Sequence, residues 1–183
     1  MGHNSLMTKY HDREWGRPWH QDRKLFEYLV LDAAQAGLSW STVLKKRENY
    51  RRAFDNFNPR KIARYKSQDI KKLLNNAGII RNRLKIRSAI SNARQFLKIQ
   101  KEFGSFDKYI WQFVNYRIIK NSFRSLKDLP TTSPQSDAMS RDLKKRGFKF
   151  VGPTICYAFM QAIGMVNDHT TNCFRHNEVN LKN

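Results

Sequence analysis

The stretch Arg146-Gly147-Phe148-Lys149-Phe150-Val151-Gly152-Pro153-Thr154 decides how the rest of the chain is read. Gly147 to Gly152 reads as a tight turn, since glycine punctuates helices and Pro153 suits the first turn of a new one. Asp137 to Lys145 before it and Pro153 to Ile163 after it both read as helices. Two helices joined this way make an αα-hairpin. Its glycines let backbone amides come close to a phosphate, and the following helix adds the positive end of its dipole. Lys144, Lys145, Arg146 and Lys149 add charge around the turn. The turn by itself also allows an ordinary hairpin without a ligand.

Helical spacing continues outward from the turn. Asn82 to Phe103 carries Leu84, Ile86, Ile90, Phe96 and Leu97 and stops at Gly104, and Ser105 caps a helix bearing Phe106, Tyr109, Ile110, Trp111 and Phe113. Ser67-Gln68-Asp69 resembles a cap with an acidic first turn, for a helix ending near Asn75, and Asn58-Pro59 opens a short helix. Ser39 to Phe54 turns Trp40, Val43 and Leu44 inward and Lys45, Lys46 and Arg47 toward water. Asp22 to Ala36 sets Leu25, Phe26, Leu29 and Val30 on one face. Leu129 to Pro134 reads as a loop. No sustained strand alternation and no repeat is visible. The expectation is an all-α protein of eight or so short helices, a single domain over 1–183 or two small packed lobes.

The chain of 183 residues has 35 Lys and Arg against 15 Asp and Glu, a net charge of +20. So basic a domain usually meets a polyanion, nucleic acid first and an anionic membrane surface second. A lysine-rich genome would inflate the same count without function. Cys156 and Cys173 are the two cysteines, too few for a disulfide scaffold and suited to a reducing cytosol. There is no apolar run of the roughly 20 residues that a membrane span needs, and no signal-peptide core. A cytoplasmic protein with no membrane partner is expected.

Three further segments carry chemistry: Tyr10-His11-Asp12-Arg13-Glu14-Trp15-Gly16, Asp32 to Trp40, and Asn167 to Cys173. Tyr10, Trp15 and Trp40 suit an aromatic cage for a cationic base, because ring faces attract positive charge; they equally suit a core. Asp32 could read the edge of a flipped base or be a solvated helix residue. Leu38 follows Gly37 at a helix break, where an apolar tip can wedge into a base stack or plug a core.

At these segments the sequence resembles the 3-methyladenine DNA glycosylase I family, and the turn resembles the helix-hairpin-helix motif, here about 138–164. The matches are Tyr10-His11-Asp12-x-Glu14-Trp15-Gly16, Gln35-Ala36-Gly37-Leu38-Ser39-Trp40, Leu44-Lys45-Lys46-Arg47-Glu48-Asn49-Tyr50, Ala77-Gly78-Ile79-Ile80-Arg81, Lys144 to Gly152, and Val166-Asn167-Asp168-His169. They recur in family order across nearly the whole chain. The resemblance implies a helix-hairpin-helix glycosylase fold with two small helical lobes and a cleft between them. It also implies a zinc-bound element that ties the termini together. The implied partner is alkylated double-stranded DNA, met by a bacterial, nucleoid-associated monomer. The implied reaction is hydrolysis of the N-glycosidic bond of 3-methyladenine, with the free base as product, an abasic site left behind and no organic cofactor. Tyr10 and Trp40 match the rings that sandwich the base, and Trp15 matches a pocket-lining tryptophan. Asp32 stands where the family has its base-recognising Glu and is the expected catalytic residue. Leu38 matches the minor-groove wedge, and Gly147, Lys149, Gly152 and Thr154 the phosphate contacts. His11, His169 and Cys173 match zinc ligands, and the His169-x3-Cys173 spacing suits tetrahedral zinc. Asn167 stands where related glycosylases carry an Asp after a Val. No lysine is placed for a Schiff base, so no lyase activity is expected.

Two departures bear on these expectations. The family opens with Arg-Cys-x-Trp a dozen or so residues before the Tyr-His pair, and this sequence has only nine residues there, none of them Cys or Trp. One zinc ligand is therefore missing, and water, His3 or His176 would have to replace it. Asp32 is one methylene shorter than Glu, which would stretch a bond to the base by roughly 1 Å and weaken catalysis or shift base preference. Two rival functions follow from the residues: a DNA-damage-binding module without turnover, and an RNA-binding protein favoured by charge alone.

Overall fold

The computed structural model describes residues 5–179. Among these, helices α1 (Ser5–Arg13), α2 (Asp22–Gln35), α3 (Trp40–Ala53), α4 (Pro59–Ile62), α5 (Ser67–Asn75), α6 (Arg83–Phe103), α7 (Phe106–Trp111), α8 (Pro134–Lys145), α9 (Pro153–Ala162) and α10 (Arg175–Glu178) dominate. The expected all-α class holds. The only sheet among the described residues is a two-residue parallel pairing of β1 (Ile119–Lys120) with β2 (Val166–Asn167), Ile119 opposite Val166.

Three caps set helix starts where the sequence placed them, whereas at α5 the expected cap Ser67 is the first helical residue, the cap position falls to Lys66, and Asp69 closes the turn on the Lys66 N–H. The side chains of Ser39, Asn82 and Ser105 each accept a backbone N–H from the first turn of α3, α6 and α7. Helix α8 begins earlier than expected, because Ser133 caps it and Pro134 opens it. Helix α1 packs through Tyr10, which is buried, and Met7, which leans on the core.

Helix α2 departs most from its expectation. Every residue from Leu25 to Ala34 is buried, so it is a central helix and not a one-faced surface helix. It packs against α3, α6, α7 and α9. The buried apolar residues form one continuous cluster, so the two expected lobes share a core with α2 running through it.

A buried ionic knot joins the turn that follows α1 to α2 and α3. The Arg47 guanidinium donates to Glu27 Oε1 at 2.6 Å and to Glu14 at 3.0 and 2.7 Å. Lys24 adds bonds to both carboxylates, and Arg51 one to Glu27. Burial alone would raise the Glu14 and Glu27 carboxyls, but Arg47 and Lys24 outweigh it and hold both below the usual range. The knot fixes the start of the Glu14-Trp15-Gly16 turn, which faces the cavity described next.

Candidate active site

A cavity of about 340 Å³ lies among α1, the C-terminal half of α2, the start of α3, α9 and the 168–173 segment. Tyr10, Trp15, Asp32 and Trp40 all line it, so the four residues expected to handle a base share one chamber. A volume at the low end for ligand pockets suits a single heterocycle. Asp32 is 4% exposed, and its Oδ2 has no hydrogen-bond partner. Burial pushes its carboxyl well above the ordinary range, because no cation or donor faces it to offset the loss of water. It is not the solvated residue its position near a helix end allowed. It belongs to the buried stretch Leu25–Ala34, and only Gln35 and Ala36 after it begin to emerge toward the exposed Leu38.

The rings of Tyr10 and Trp40 meet at 5.3 Å between centroids with a 49° tilt. A flat base between two parallel rings needs them about 7 Å apart, two carbon contact distances. The expected sandwich is therefore closed in this structure. Trp15 instead meets His169 in a T-shaped contact, centroids 4.6 Å apart.

Another wall is formed by the 168–173 segment. The Asp168 carboxylate accepts bonds from Asn121 at 2.6 Å, Tyr157 at 2.7 Å and Gln161 at 2.8 Å. These three donors occupy its oxygens, although it lines the cavity. Asn167 does not line the cavity. It is fully buried, donates to the His176 carbonyl, and its Oδ1 sits 2.9 Å from His169 Nδ1. The residue at the place of the related enzymes' Asp thus orients a histidine and touches no substrate space.

His11, His169 and Cys173, the expected metal ligands, all line the same cavity. Cys173 Sγ lies 3.6 Å from His11 Nε2, close to the roughly 3.5 Å edge of a tetrahedral zinc site. His11 Nδ1 is held by Asp12 at 2.8 Å and His169 Nδ1 by Asn167, which turns the two Nε2 atoms toward the cavity, His11's already against Cys173. Burial, with the charges of His11, Arg175 and His176, pushes the His169 pKa down to about 4, so its ring is neutral at pH 7. His169 Nε2 is buried without a partner. Among the described residues, no three His, Cys, Asp or Glu side chains converge to coordination distance. The donor chemistry fits zinc, and His169 stands outside the pair that already meets. His176 is turned away, its Nε2 2.9 Å from the Asn121 carbonyl, and His3 lies outside the described residues.

A second cavity, about 360 Å³, adjoins the first through Asp32, Gln35 and Ala158. Leu38 and Thr154 line it together, so the structure brings the expected wedge to the start of α9. Leu38 is 42% exposed, between a left-handed Gly37 and the Ser39 cap, and is a tip and not a core plug. In the hairpin turn Gly147 has φ +89°, as a left-handed glycine turn requires, whereas Gly152 has an ordinary backbone and open space where a Cβ would point. Gly152 is thus free for the close approach of a ligand. Lys149 is exposed. Arg146 is committed elsewhere: its guanidinium pairs with Glu102 and Asp142 and lies over Phe103 and Tyr109. It adds less free charge to the turn than its sequence neighbours suggest.

Three residues escaped sequence reasoning: one lines the first cavity and two bond the backbone of loops beside the cavities. Leu126 is 78% exposed yet lines the first cavity, carried there by the β1–β2 pairing and the Asn121–Asp168 bond. Lys85 Nζ donates to the carbonyls of Ala34 at 2.8 Å and Ala36 at 2.6 Å, at the end of α2. Asn92 Nδ2 donates to the Lys149 carbonyl at 2.9 Å, and its Oδ1 accepts the Lys149 N–H at 2.8 Å. No local sequence signal marked any of the three, because each meets its partner across a long chain separation.

Fold and chamber together define a DNA glycosylase scaffold. The chain superposes on a solved 3-methyladenine DNA glycosylase I with a TM-score of 0.92, at 53% identity over 94% of this chain and 95% of that one. It superposes equally well on the Staphylococcus aureus 3-methyladenine DNA glycosylase I solved to explain 3-methyladenine recognition, with a TM-score of 0.91 at 36% identity over 94% of this chain and 92% of that one. The chain belongs to the methyladenine glycosylase family, whose model matches residues 1–176. It is 51% identical to the DNA-3-methyladenine glycosylase 1 of Escherichia coli (strain K12), over 92% of this chain and 90% of that protein. It is 47% identical to the DNA-3-methyladenine glycosylase of Haemophilus influenzae, over 94% of each chain.

Proposed function

We propose that the chain hydrolyses the N-glycosidic bond of 3-methyladenine in alkylated DNA, as a monofunctional glycosylase. The observation that carries this reading is a buried, unpartnered Asp32 carboxyl in an aromatic chamber that adjoins the wedge and hairpin cavity. N3-methylation makes the purine cationic and already a good leaving group. The site therefore needs little acid catalysis; it has to extrude the base, sort it and let water capture an oxocarbenium-like sugar. Leu38 fills the gap in the stack. The hairpin turn and the start of α9 hold a phosphate through backbone N–H groups. The base enters the chamber with the cationic ring against Tyr10, Trp15 and Trp40. Trp40 swings off Tyr10 to open the slot, and Asp32 pairs with the base edge. Among the described residues that line the chamber none is a lysine, which supports hydrolysis without a Schiff base.

The test is to incubate the protein with methylated duplex and follow release of 3-methyladenine by chromatography, with strand breaks scored after alkali. Release is expected, and Asp32→Asn should lower it by about 100-fold. Binding to the duplex with no base released would replace the enzyme by a damage-binding module. Monomeric action on DNA in the cytoplasm belongs to the same proposal.

The proposal extends to a structural zinc held by His11, His169 and Cys173. The 3.6 Å approach of His11 Nε2 to Cys173 Sγ and the orphaned His169 Nε2 support it. Bound zinc would lock the start of α1 to the 169–173 segment and take no part in hydrolysis. Elemental analysis of protein purified without chelator should find about one zinc per chain, lost in Cys173→Ser. Absence of zinc in the wild-type protein would remove this part.

A further inference from the structure

Helix α6 grips both DNA-facing loops from one side. Lys85 Nζ closes the C-terminal end of α2 through the Ala34 and Ala36 carbonyls, directly before Gly37 and Leu38. Asn92 holds the hairpin turn by bonding both the N–H and the carbonyl of Lys149. Gln95, one turn further, packs 3.6 Å from where a Cβ on Gly147 would lie. Lys85 and Asn92 are seven residues apart, so they lie on one stripe of the helix about 10 Å from each other. The two grips are polar bonds to backbone, which fix position, rather than apolar contacts, which tolerate sliding. Asn92 is 3% exposed and spends its amide on the turn. Lys85 reaches a site where a cation also meets the negative end of α2.

We infer that Lys85 and Asn92 are positioning residues that set the spacing between the Leu38 wedge and the hairpin turn, so that both engage one extruded nucleotide together. The inference rests on the glycosylase reading above, which makes Leu38 the wedge and the turn a phosphate contact. Neither residue touches the base chamber. Losing Lys85 therefore harms work on duplex DNA and spares capture of the free base.

The experiment compares wild type, Lys85→Met, Lys85→Arg, Leu38→Ala and the Lys85→Met/Leu38→Ala pair. Three readouts are taken: kcat/KM on methylated duplex, affinity for abasic-site duplex, and affinity for free 3-methyladenine by calorimetry. Lys85→Met should lose about tenfold in the first two and less than about twofold in the third. Lys85→Arg should recover most of the loss. In the Leu38→Ala background Lys85→Met should cost almost nothing more, because it acts through Leu38. If Lys85→Met does not fold, Lys85→Gln carries the same comparison. Equal loss of free-base affinity, or a full tenfold loss on top of Leu38→Ala, overturns the inference. A wild-type protein that releases no base sinks the glycosylase reading instead. The abasic-duplex affinities of the same variants then still decide whether α6 sets the spacing.

Discussion

Asp32 shows how much one residue's meaning depends on the helix that carries it. In sequence it is a carboxylate near a helix end; in the fold it is sealed with one oxygen unpartnered. Its folded pKa lies above its ordinary value near 3.8, so the folded chain holds this proton more tightly than the unfolded chain. The associated stability is present below about pH 3.8 and is lost as pH rises through the raised folded value. Asp32→Asn cannot ionise and lacks that loss. The melting temperature of wild type should therefore fall relative to Asp32→Asn between pH 4 and pH 8, and a constant difference across that range would contradict the burial argument. Tyr10, Trp15, Trp40 and Leu38 were legible as candidates from aromatic type and helix breaks. Which of their two readings holds was not, because core and cage use the same side chains.

At the level of elements, the hairpin between α8 and α9 and the knot among α1, α2 and α3 make opposite demands on substitution. Gly147→Ala forces a side chain into φ +89° and should destabilise the fold by about 1 kcal/mol or more, read by urea denaturation. Gly152→Ala meets nothing and should fold normally, yet weaken duplex binding because its new methyl stands where a phosphate approaches. If both variants melt alike and bind alike, the turn is an ordinary hairpin. In the knot, Arg47→Met leaves Glu14 and Glu27 without their main partner and should cost about 3–5 kcal/mol at pH 7. Because the two carboxyls lie below the ordinary 4.5, their contribution is present above that value and disappears as pH falls through the lowered folded pKa values. The deficit of Arg47→Met should accordingly shrink in acid.

For the molecule as a whole, the net charge of +20 makes duplex affinity strongly salt dependent. Each neutralised phosphate contributes about 0.9 to the slope of log affinity against log salt, so Lys149→Ala should flatten that slope by about one unit. An unchanged slope would place Lys149 off the DNA. No described helix is long and apolar enough to cross a membrane. By itself the sequence determined the helical class, most helix ends and the hairpin, because spacing, caps and glycine turns are local physics carried by neighbouring residues. It also carried the family motifs in order, and with them the candidate residues. Only the tertiary structure decided that α2 is central, that Asp32 is buried, that Tyr10 and Trp40 touch, that Arg146 is tied up in ion pairs, that Lys85 and Asn92 bond the backbone at the end of α2 and at the hairpin turn, and that Leu126 lines the first cavity. Each of those depends on groups brought together from distant parts of the chain, and no local pattern records which carbonyl, ring or charge will be waiting there.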